Sequence, residues 1–257
     1  MSWRIMACIS DDEKLLYSRL NDALYLSDKR GCPCFLGFLD LREQALILQK
    51  LSGSRTCNWQ MYGGYEDAER SMLAVFPDFY AVDDIIYPFT AVAFRYRSTQ
   101  SLTHRDFLGT ILSTGVRRDK VGDILCGEGL TVVFLNEEIV PYICEQIKKV
   151  GGEGVTAERD YTGQLPIVRL YTEIHETIAS PRLDAVVKAL IRVSREESAR
   201  MIRSGFVSVD HLTTDNVSYS LSAPCTVSIR GYGRFLVDQF GPETKKGRLQ
   251  FLARKCI

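Results

Sequence analysis

Leucines recur at helical spacing near the start of the chain. Residues 11–29 contain five of them, and the spacing predicts a helix that Gly31 and Pro33 end. Residues 40–53 fit a second helix that ends at Gly53, and residues 58–78 have the pattern of two strands joined by a turn. The adjacent Gly63 and Gly64 suit a tight connection there. The first part of the chain is therefore expected to be a small α/β region.

Strand and helix patterns alternate through the middle of the chain. The predicted elements are a strand at 89–97, a helix at 102–115 capped by Thr103, two strands within 122–135, a helix at 136–152 capped by Asn136, and strands at 154–161 and 165–178. The order strand, helix, strand, strand, helix, strand is that of a ferredoxin-like sandwich. Many RNA-binding domains use this fold, but the fold alone does not establish a function.

Two short amphipathic helices are predicted after Ser180 and Pro181. The first buries the apolar face formed by Leu183, Val186, Val187 and Leu190. The second begins at Ser194, with Glu197 completing a capping box, and ends at Gly205. Strands follow to the end of the chain.

Charge divides the 257 residues unevenly, although the net charge is zero. Residues 1–180 hold 19 Lys and Arg against 25 Asp and Glu, whereas residues 181–257 hold 13 against 7. A basic module of this kind usually binds a polyanion, and nucleic acid is the commonest one. No apolar run is long enough for a membrane span and no export signal is evident, so we expect a cytoplasmic protein.

The eight cysteines are scattered singly, apart from Cys32 and Cys34. This spacing is not that of a zinc framework, and we expect reduced thiols with no metal.

The basic module offers a set of candidate RNA-binding residues. Arginine suits phosphates because its planar guanidinium can bind two oxygens at once, and the start of the second helix adds free N–H groups. We expect Arg182, Arg195, Arg200 and Arg234 to contact RNA and to contribute little to stability. The full set is Arg182, Lys188, Arg192, Ser194, Arg195, Arg200, Arg203, Arg230 and Arg234.

A second candidate RNA contact lies in the middle of the chain. It comprises His104 and Arg105 at a predicted helix start, and Arg117 and Arg118 in a polar loop. The competing interpretation is a surface or capping histidine and a solvated loop.

Longer stretches resemble known families. "SPRLDAVVKALIRVSREESARMIRSGFVSVD" and the later "VSIRGYGRF" resemble the S4-type RNA-binding domain, and "GGYEDAERSMLAVFPD" and "LTHRDFLGTILSTGVRRDKVGDI" resemble the YlmH family of bacterial proteins. The resemblance covers nearly the whole chain. It implies an α+β protein with an N-terminal α/β region (1–80), a ferredoxin-like, RRM-like domain (81–179) and an S4 domain (180–257).

The resemblance also implies a function. It places Arg182, Ser194, Arg195 and Arg200 on the RNA-contacting helices, and Arg230 and Arg234 on the R-G-x-G-R turn. It implies binding of ribosomal RNA and peptidyl-tRNA on the large ribosomal subunit, in rescue or quality control of stalled complexes, with a link to cell division. The chain departs from the S4 pattern at Asp210 and at Pro224-Cys225. Both are turn positions.

The hypothesis of an enzymatic function has little support in the sequence. "RLD" at 182–184 resembles part of a pseudouridine synthase motif but continues into "AVVKA", and "GYG" at 231–233 precedes a strand and not a helix. We therefore expect a monomeric, non-enzymatic RNA-binding protein with no catalytic residues and no cofactor. The alternatives are an RNA-binding module that acts in cell division and an RNA-modifying enzyme with an unrecognised site.

Overall fold

The computed structural model describes residues 10–52, 58–97, 101–167, 170–244 and 247–256. Cys8, Cys57 and the predicted helix end at Gly53 lie outside these residues. The chain forms two compact units, 1–167 and 168–257, and its fold class is α+β, as predicted. The predicted division of the first unit at residue 80 stays a prediction. Within the described ranges, no helix is long and apolar enough to cross a membrane.

The first unit begins with two helices on one face of a three-stranded sheet. Helix α1 starts at Ser10, which accepts the Glu13 N–H, and ends at Gly31, whose φ of 63° is in the left-handed region that favours glycine. The helices bury leucine and isoleucine side chains against the sheet. Its antiparallel strands lie in the order β1-β3-β2. The elements are α1 (Asp11–Arg30), β1 (Cys34–Leu39), α2 (Leu41–Leu51), β2 (Asn58–Tyr62) and β3 (Ser71–Phe76).

A four-stranded antiparallel sheet completes the first unit. Its strand order, β5-β6-β4-β9, is the one that a ferredoxin-like connection produces. Helices α3 and α4 pack on one face through Phe107, Ile111 and Ile143. The elements are β4 (Phe89–Arg95), α3 (His104–Ser113), β5 (Val121–Cys126), β6 (Leu130–Asn136), α4 (Val140–Gln146), β7 (Lys149–Val150), β8 (Glu153–Gly154) and β9 (Thr156–Glu158).

Helix α4 is shorter than predicted. Asn136 caps a short 3-10 turn, α4 itself ends at Gln146, and the following residues form the β7-β8 hairpin. The Lys148 ammonium nevertheless donates to the Cys144 carbonyl at 2.9 Å, so a cation does stabilise the end of this helix.

The second face of the four-stranded sheet is covered by the N-terminal sheet. Phe134 and Phe89 from the middle strands pack with Phe38 and Met72 from β1 and β3. The rings of Tyr65 and Phe134 are stacked with their centroids 5.6 Å apart. The two sheets thus share one apolar layer.

Buried Asp123 fixes the β2-β3 connection against β5. Its carboxylate accepts hydrogen bonds from the Tyr65 hydroxyl at 2.7 Å and from the Glu69 and Arg70 N–H groups at 2.7 and 3.0 Å. Gly37 also lies against this part of the unit, since a Cβ there would meet the Asp119 carbonyl oxygen at 2.5 Å.

The second unit is a six-stranded antiparallel sheet with two helices. Its strand order is β10-β15-β14-β13-β11-β12, and residues of α5 and α6 belong to the same apolar core as β11, β13, β14 and β15. The elements are β10 (Tyr171–Ile178), α5 (Leu183–Ile191), α6 (Arg195–Arg203), β11 (Val207–Val209), β12 (Leu212–Thr213), β13 (Cys225–Ile229), β14 (Gly233–Glu243) and β15 (Leu249–Cys256).

The expectation that residues 165–178 complete the middle sheet is wrong. Strand β10 pairs with β15 in continuous register, from Tyr171 opposite Cys256 to Ile178 opposite Leu249. The residue pattern identifies a strand but not its partner, and the paired residues here are 71 to 85 positions apart in the chain.

Candidate nucleic-acid interface

Buried Asp184, near the start of α5, binds two arginines that reach the surface. Its carboxylate accepts from Arg182 Nε at 3.0 Å and Nη2 at 3.3 Å, and from Arg195 Nε at 2.8 Å. The Asp184 side chain is 3% exposed, whereas those of Arg182 and Arg195 are 39% and 63% exposed. One buried carboxylate therefore orients cations from the starts of both helices.

The Asp184 carboxylate is charged despite its burial. Burial raises its pKa, but the hydrogen bonds and positive charges of Arg182 and Arg195 outweigh that effect, and the net pKa lies below the usual value. Ser198 adds a link between the helices, because its hydroxyl donates to the Asp184 carbonyl at 2.8 Å. Arg195 and Ser198 thus link α6 to α5, while Arg182 holds the same carboxylate from the start of α5. Both arginines therefore have a structural role, in contrast to the expectation that they contribute little to stability.

The start of α6 differs from the predicted capping box. Ser194 Oγ accepts the Glu197 N–H at 3.0 Å, as expected for an N-cap. The Glu197 carboxylate instead accepts from Arg200 Nη2 at 2.7 Å, one turn further on. Arg200 and Arg203 are exposed.

Lys188 and Arg192 lie on the exposed side of α5. Arg192 ends this helix in a left-handed conformation, with φ of 56°. Its guanidinium is 86% exposed and lies 3.8 Å from the Glu176 carboxylate on β10. Both cations are therefore accessible to an anionic ligand.

Arg230 lies beyond the other end of α6. Its guanidinium stacks over the Phe206 ring at 5.0 Å from the ring centroid, and its N–H donates to the Phe206 carbonyl at 2.9 Å. The neighbouring turn needs glycine, because Gly231 and Gly233 have φ of 85° and 106°. Half-buried Arg234 follows this turn on β14.

Four residues of the predicted set lie near the two ends of α6, and the others lie on α5, within α6 and on β14. Arg182, Ser194 and Arg195 lie at its start, and Arg230 lies beside Phe206, which follows its end. A nine-residue helix spans about 13 Å, which gives the scale of this cationic surface.

The turn at the first departure from the S4 pattern is well formed. Asp210 has φ of 46°, and its carboxylate accepts the Thr226 N–H at 2.8 Å. The Asp210 N–H donates in turn to the Thr226 carbonyl at 2.8 Å. Aspartate therefore fulfils the turn requirement at this position.

The four residues of the second predicted RNA contact have different environments: three are exposed and one is half-buried. His104 and Arg105 are exposed at the start of α3, and Arg117 is exposed with its guanidinium 2.6 Å from Asp119. Arg118 is half-buried and donates from Nη1 to the Val121 and Gly122 carbonyls at 2.5 and 3.3 Å.

Arg118 also differs from the exposed cations in its pKa. Burial, followed by the charge of Arg70, lowers the pKa of Arg118 to about 10. Partial burial, followed by the charge of Arg118, also lowers the pKa of His104 and thus favours its neutral form. The geometry thus gives Arg118 a packing role, while RNA contacts by His104, Arg105 and Arg117 stay predictions.

Sequence reasoning missed the role of Asp184. The signal was present, because this acid lies beside Leu183 and three residues before Val187, on the face predicted to be buried. A carboxylate on an apolar face requires a cationic partner. The nearby Arg182 and Arg195 were the available ones.

Known proteins support a family assignment. Residues 87–162 match the family model described as "Putative RNA-binding domain in YlmH". The "Ribosome-associated protein quality control protein P2" of Bacillus subtilis (strain 168) is 30% identical over 213 residues, which are 82% of this chain and 82% of that protein. A solved structure, "Cell division protein ylmH from Streptococcus pneumoniae", has a TM-score of 0.49 and 19% identity over 58% of this chain and 92% of that chain. The chain belongs to the YlmH family.

Proposed function

We propose that this protein binds ribosomal RNA and peptidyl-tRNA on the large ribosomal subunit, in quality control of stalled complexes. The observation that carries the proposal is the pair of surface arginines, Arg182 and Arg195, held by buried Asp184. The matched RNA-binding family and the printed name of the Bacillus subtilis relative support it.

Fixed arginines favour recognition of a structured RNA. A guanidinium that is already oriented loses less conformational entropy when it binds a phosphate than a freely rotating one does. Structured RNA is recognised mostly by its shape and by contacts to phosphates and 2′-hydroxyls. Arg182 and Arg195, with exposed Lys188, Arg192 and Arg200, present a cationic surface suited to this mode.

The C-terminal unit is the primary RNA contact in this proposal. RRM domains stack bases on aromatic residues of their open sheet face. Here Phe134 on that face is buried, and half-buried Phe89 packs against the same apolar layer beneath the N-terminal sheet. RNA contacts from the first unit would therefore use its periphery, where His104, Arg105 and Arg117 are exposed.

We also propose that the protein acts as a cytoplasmic monomer and catalyses no reaction. The sequence offers no recognisable pairing of a nucleophile with a base, and no dinucleotide fingerprint. Mapping of modified nucleotides in rRNA and tRNA from cells with and without the protein tests this part. A modification that depends on the protein would contradict it.

Co-sedimentation tests the binding proposal directly. The wild-type protein is expected to co-sediment with large ribosomal subunits, more strongly when they carry peptidyl-tRNA, and to be displaced by a structured rRNA fragment but not by duplex DNA at matched salt. Equal displacement by RNA and DNA would mean that the protein binds polyanions nonspecifically through its charge. Absence from the large-subunit fractions would contradict the proposal.

A further inference from the structure

A groove of about 410 Å³ lies in the second unit, beside α5 and the end of β10. This volume is within the range of about 300–1,000 Å³ found for ligand sites in proteins. The groove is open on one side and combines an apolar floor with a charged rim. The floor includes Ile178, Ala185, Ala189 and Val193.

Four cations and one acid line the groove. Lys188, Arg192 and Arg195 come from the two helices, and Arg248 comes from the residues just before β15. Glu176 is the one acidic residue among the described lining residues. The rim therefore has a formal excess of three positive charges.

Arg248 is held in place by a residue of the neighbouring strand, β10. Its Nη2 donates to the Thr177 carbonyl at 2.5 Å, although the two residues are 71 positions apart. Its N–H donates to Thr244 Oγ1 at 3.2 Å. A guanidinium has five N–H donors, and the bond to Thr177 orients the group towards the groove without using all of them.

We propose that this groove binds the phosphodiester backbone of an RNA strand, and that Arg248 is one of its phosphate-binding residues. The inference rests on the proposed function and extends the RNA surface from the helices to the sheet. Several cations in one groove suit a backbone that carries one negative charge per phosphate, and arginine can bind two phosphate oxygens at once. The described lining includes no aromatic ring, which favours contact with the backbone over stacking of bases.

An RNA-binding titration of the full chain over a salt series tests the inference. The probe is a labelled stem-loop of large-subunit rRNA, and the variants are Arg248→Gln and Lys255→Gln. Lys255 is the control because it lies on β15, the strand that follows Arg248, but does not line the groove. Arg248→Gln is expected to weaken binding several-fold and to make the log–log salt slope shallower by roughly 0.7, the value for one phosphate contact on single strands. Lys255→Gln is expected to leave both unchanged.

Two further variants distinguish a failure of this inference from a failure of the proposed function. Arg195→Gln removes a helix cation of the proposed RNA surface, and Lys188→Gln removes a second groove cation that makes no ion pair among the described residues. If Arg248→Gln lowers the melting temperature, Lys188→Gln provides the same test and is expected to give the same change in slope.

The inference is overturned if Arg195→Gln weakens RNA binding while folded Arg248→Gln and Lys188→Gln bind like the wild type. It is also overturned if an acidic peptide, such as polyglutamate, binds the wild type but not Arg248→Gln and does not displace RNA, because the groove would then bind protein carboxylates while RNA binds elsewhere. A wild-type protein that does not bind the stem-loop or large subunits would contradict the proposed function itself.

Discussion

Arg195 Nε donates to a carboxylate oxygen of Asp184 at 2.8 Å, although the two residues belong to different helices. Arg182 donates to the other oxygen at 3.0 Å. The cations that face solvent at this site are therefore also the counter-ions of a buried acid. Effects of mutations here on RNA binding and on stability must be measured separately.

The first prediction concerns loss of these counter-ions. Arg182→Ala with Arg195→Ala leaves a buried carboxylate without its partners and is expected to lower the free energy of unfolding by about 1–3 kcal/mol. Adding Asp184→Asn to the double variant should restore part of the loss, because it removes the buried charge. Calorimetric melting of the full-length variants checks both expectations.

Exposed arginines on α6 serve as the control for that experiment. Arg203→Ala removes an exposed cation at the end of the same helix and should change stability by about 0.5 kcal/mol or less. An equal loss in Arg203→Ala and in the double variant would show that Asp184 does not depend on its partners.

The second prediction is the pH dependence caused by Asp184. Its pKa is lower in the folded protein than the unfolded value of about 3.9, so its contribution to stability is present above about pH 3.9 and is lost as pH falls through the folded pKa. Asp184→Asn should therefore show a smaller drop in melting temperature than the wild type when the pH is lowered from about 5 to about 2. Parallel curves for the two proteins would argue against a charged Asp184.

The third prediction separates phosphate binding from folding. Lys188, Arg192 and Arg200 are exposed, and their combined replacement by Gln should leave the melting temperature near that of the wild type. If each neutralises one phosphate, the log–log salt slope of RNA binding should be shallower by roughly 2, taking about 0.7 per phosphate. Lys14→Gln, an exposed cation of α1, is the control and should not change the slope. An unchanged slope in the triple variant would mean that these three cations are solvated surface groups that contact no phosphate.

The fourth prediction concerns the apolar layer shared by the two sheets of the first unit. Phe134 is 3% exposed and packs in this layer, so Phe134→Ala should cost about 3–5 kcal/mol of unfolding free energy. Phe79 is 76% exposed, and Phe79→Ala is the matched control with little expected effect. Equal melting temperatures for the two variants would contradict the packing of one sheet on the other.

Local signals in the sequence predicted most elements of the fold. The helices at 11–30, 41–51 and 104–113 have caps and periodic apolar residues, which are properties of neighbouring positions. Strand β1, "CFLGFL", was missed because its short apolar run contains a glycine and lacks alternation. The pairing of β10 with β15 could not be predicted, because it depends on residues far apart in the chain.

The candidate site was predictable to a similar extent. The exposed positions of Lys188, Arg192, Arg200 and Arg203 follow from helical periodicity. The groove was not predictable, because Arg248 lies beside Thr177 as a result of the pairing of β10 with β15, which are far apart in the chain.

The covering of one sheet by the other has a consequence for synthesis of the chain. Strands β1 to β3 are complete once Phe76 has been made, but Phe134, which covers their apolar side, comes almost sixty residues later. At about 5–20 residues per second, this delay is roughly 3–12 s. During that interval Phe38 and Met72 lack the side chains that cover them in the folded unit, so we expect the nascent N-terminal segment to keep an apolar surface accessible to water.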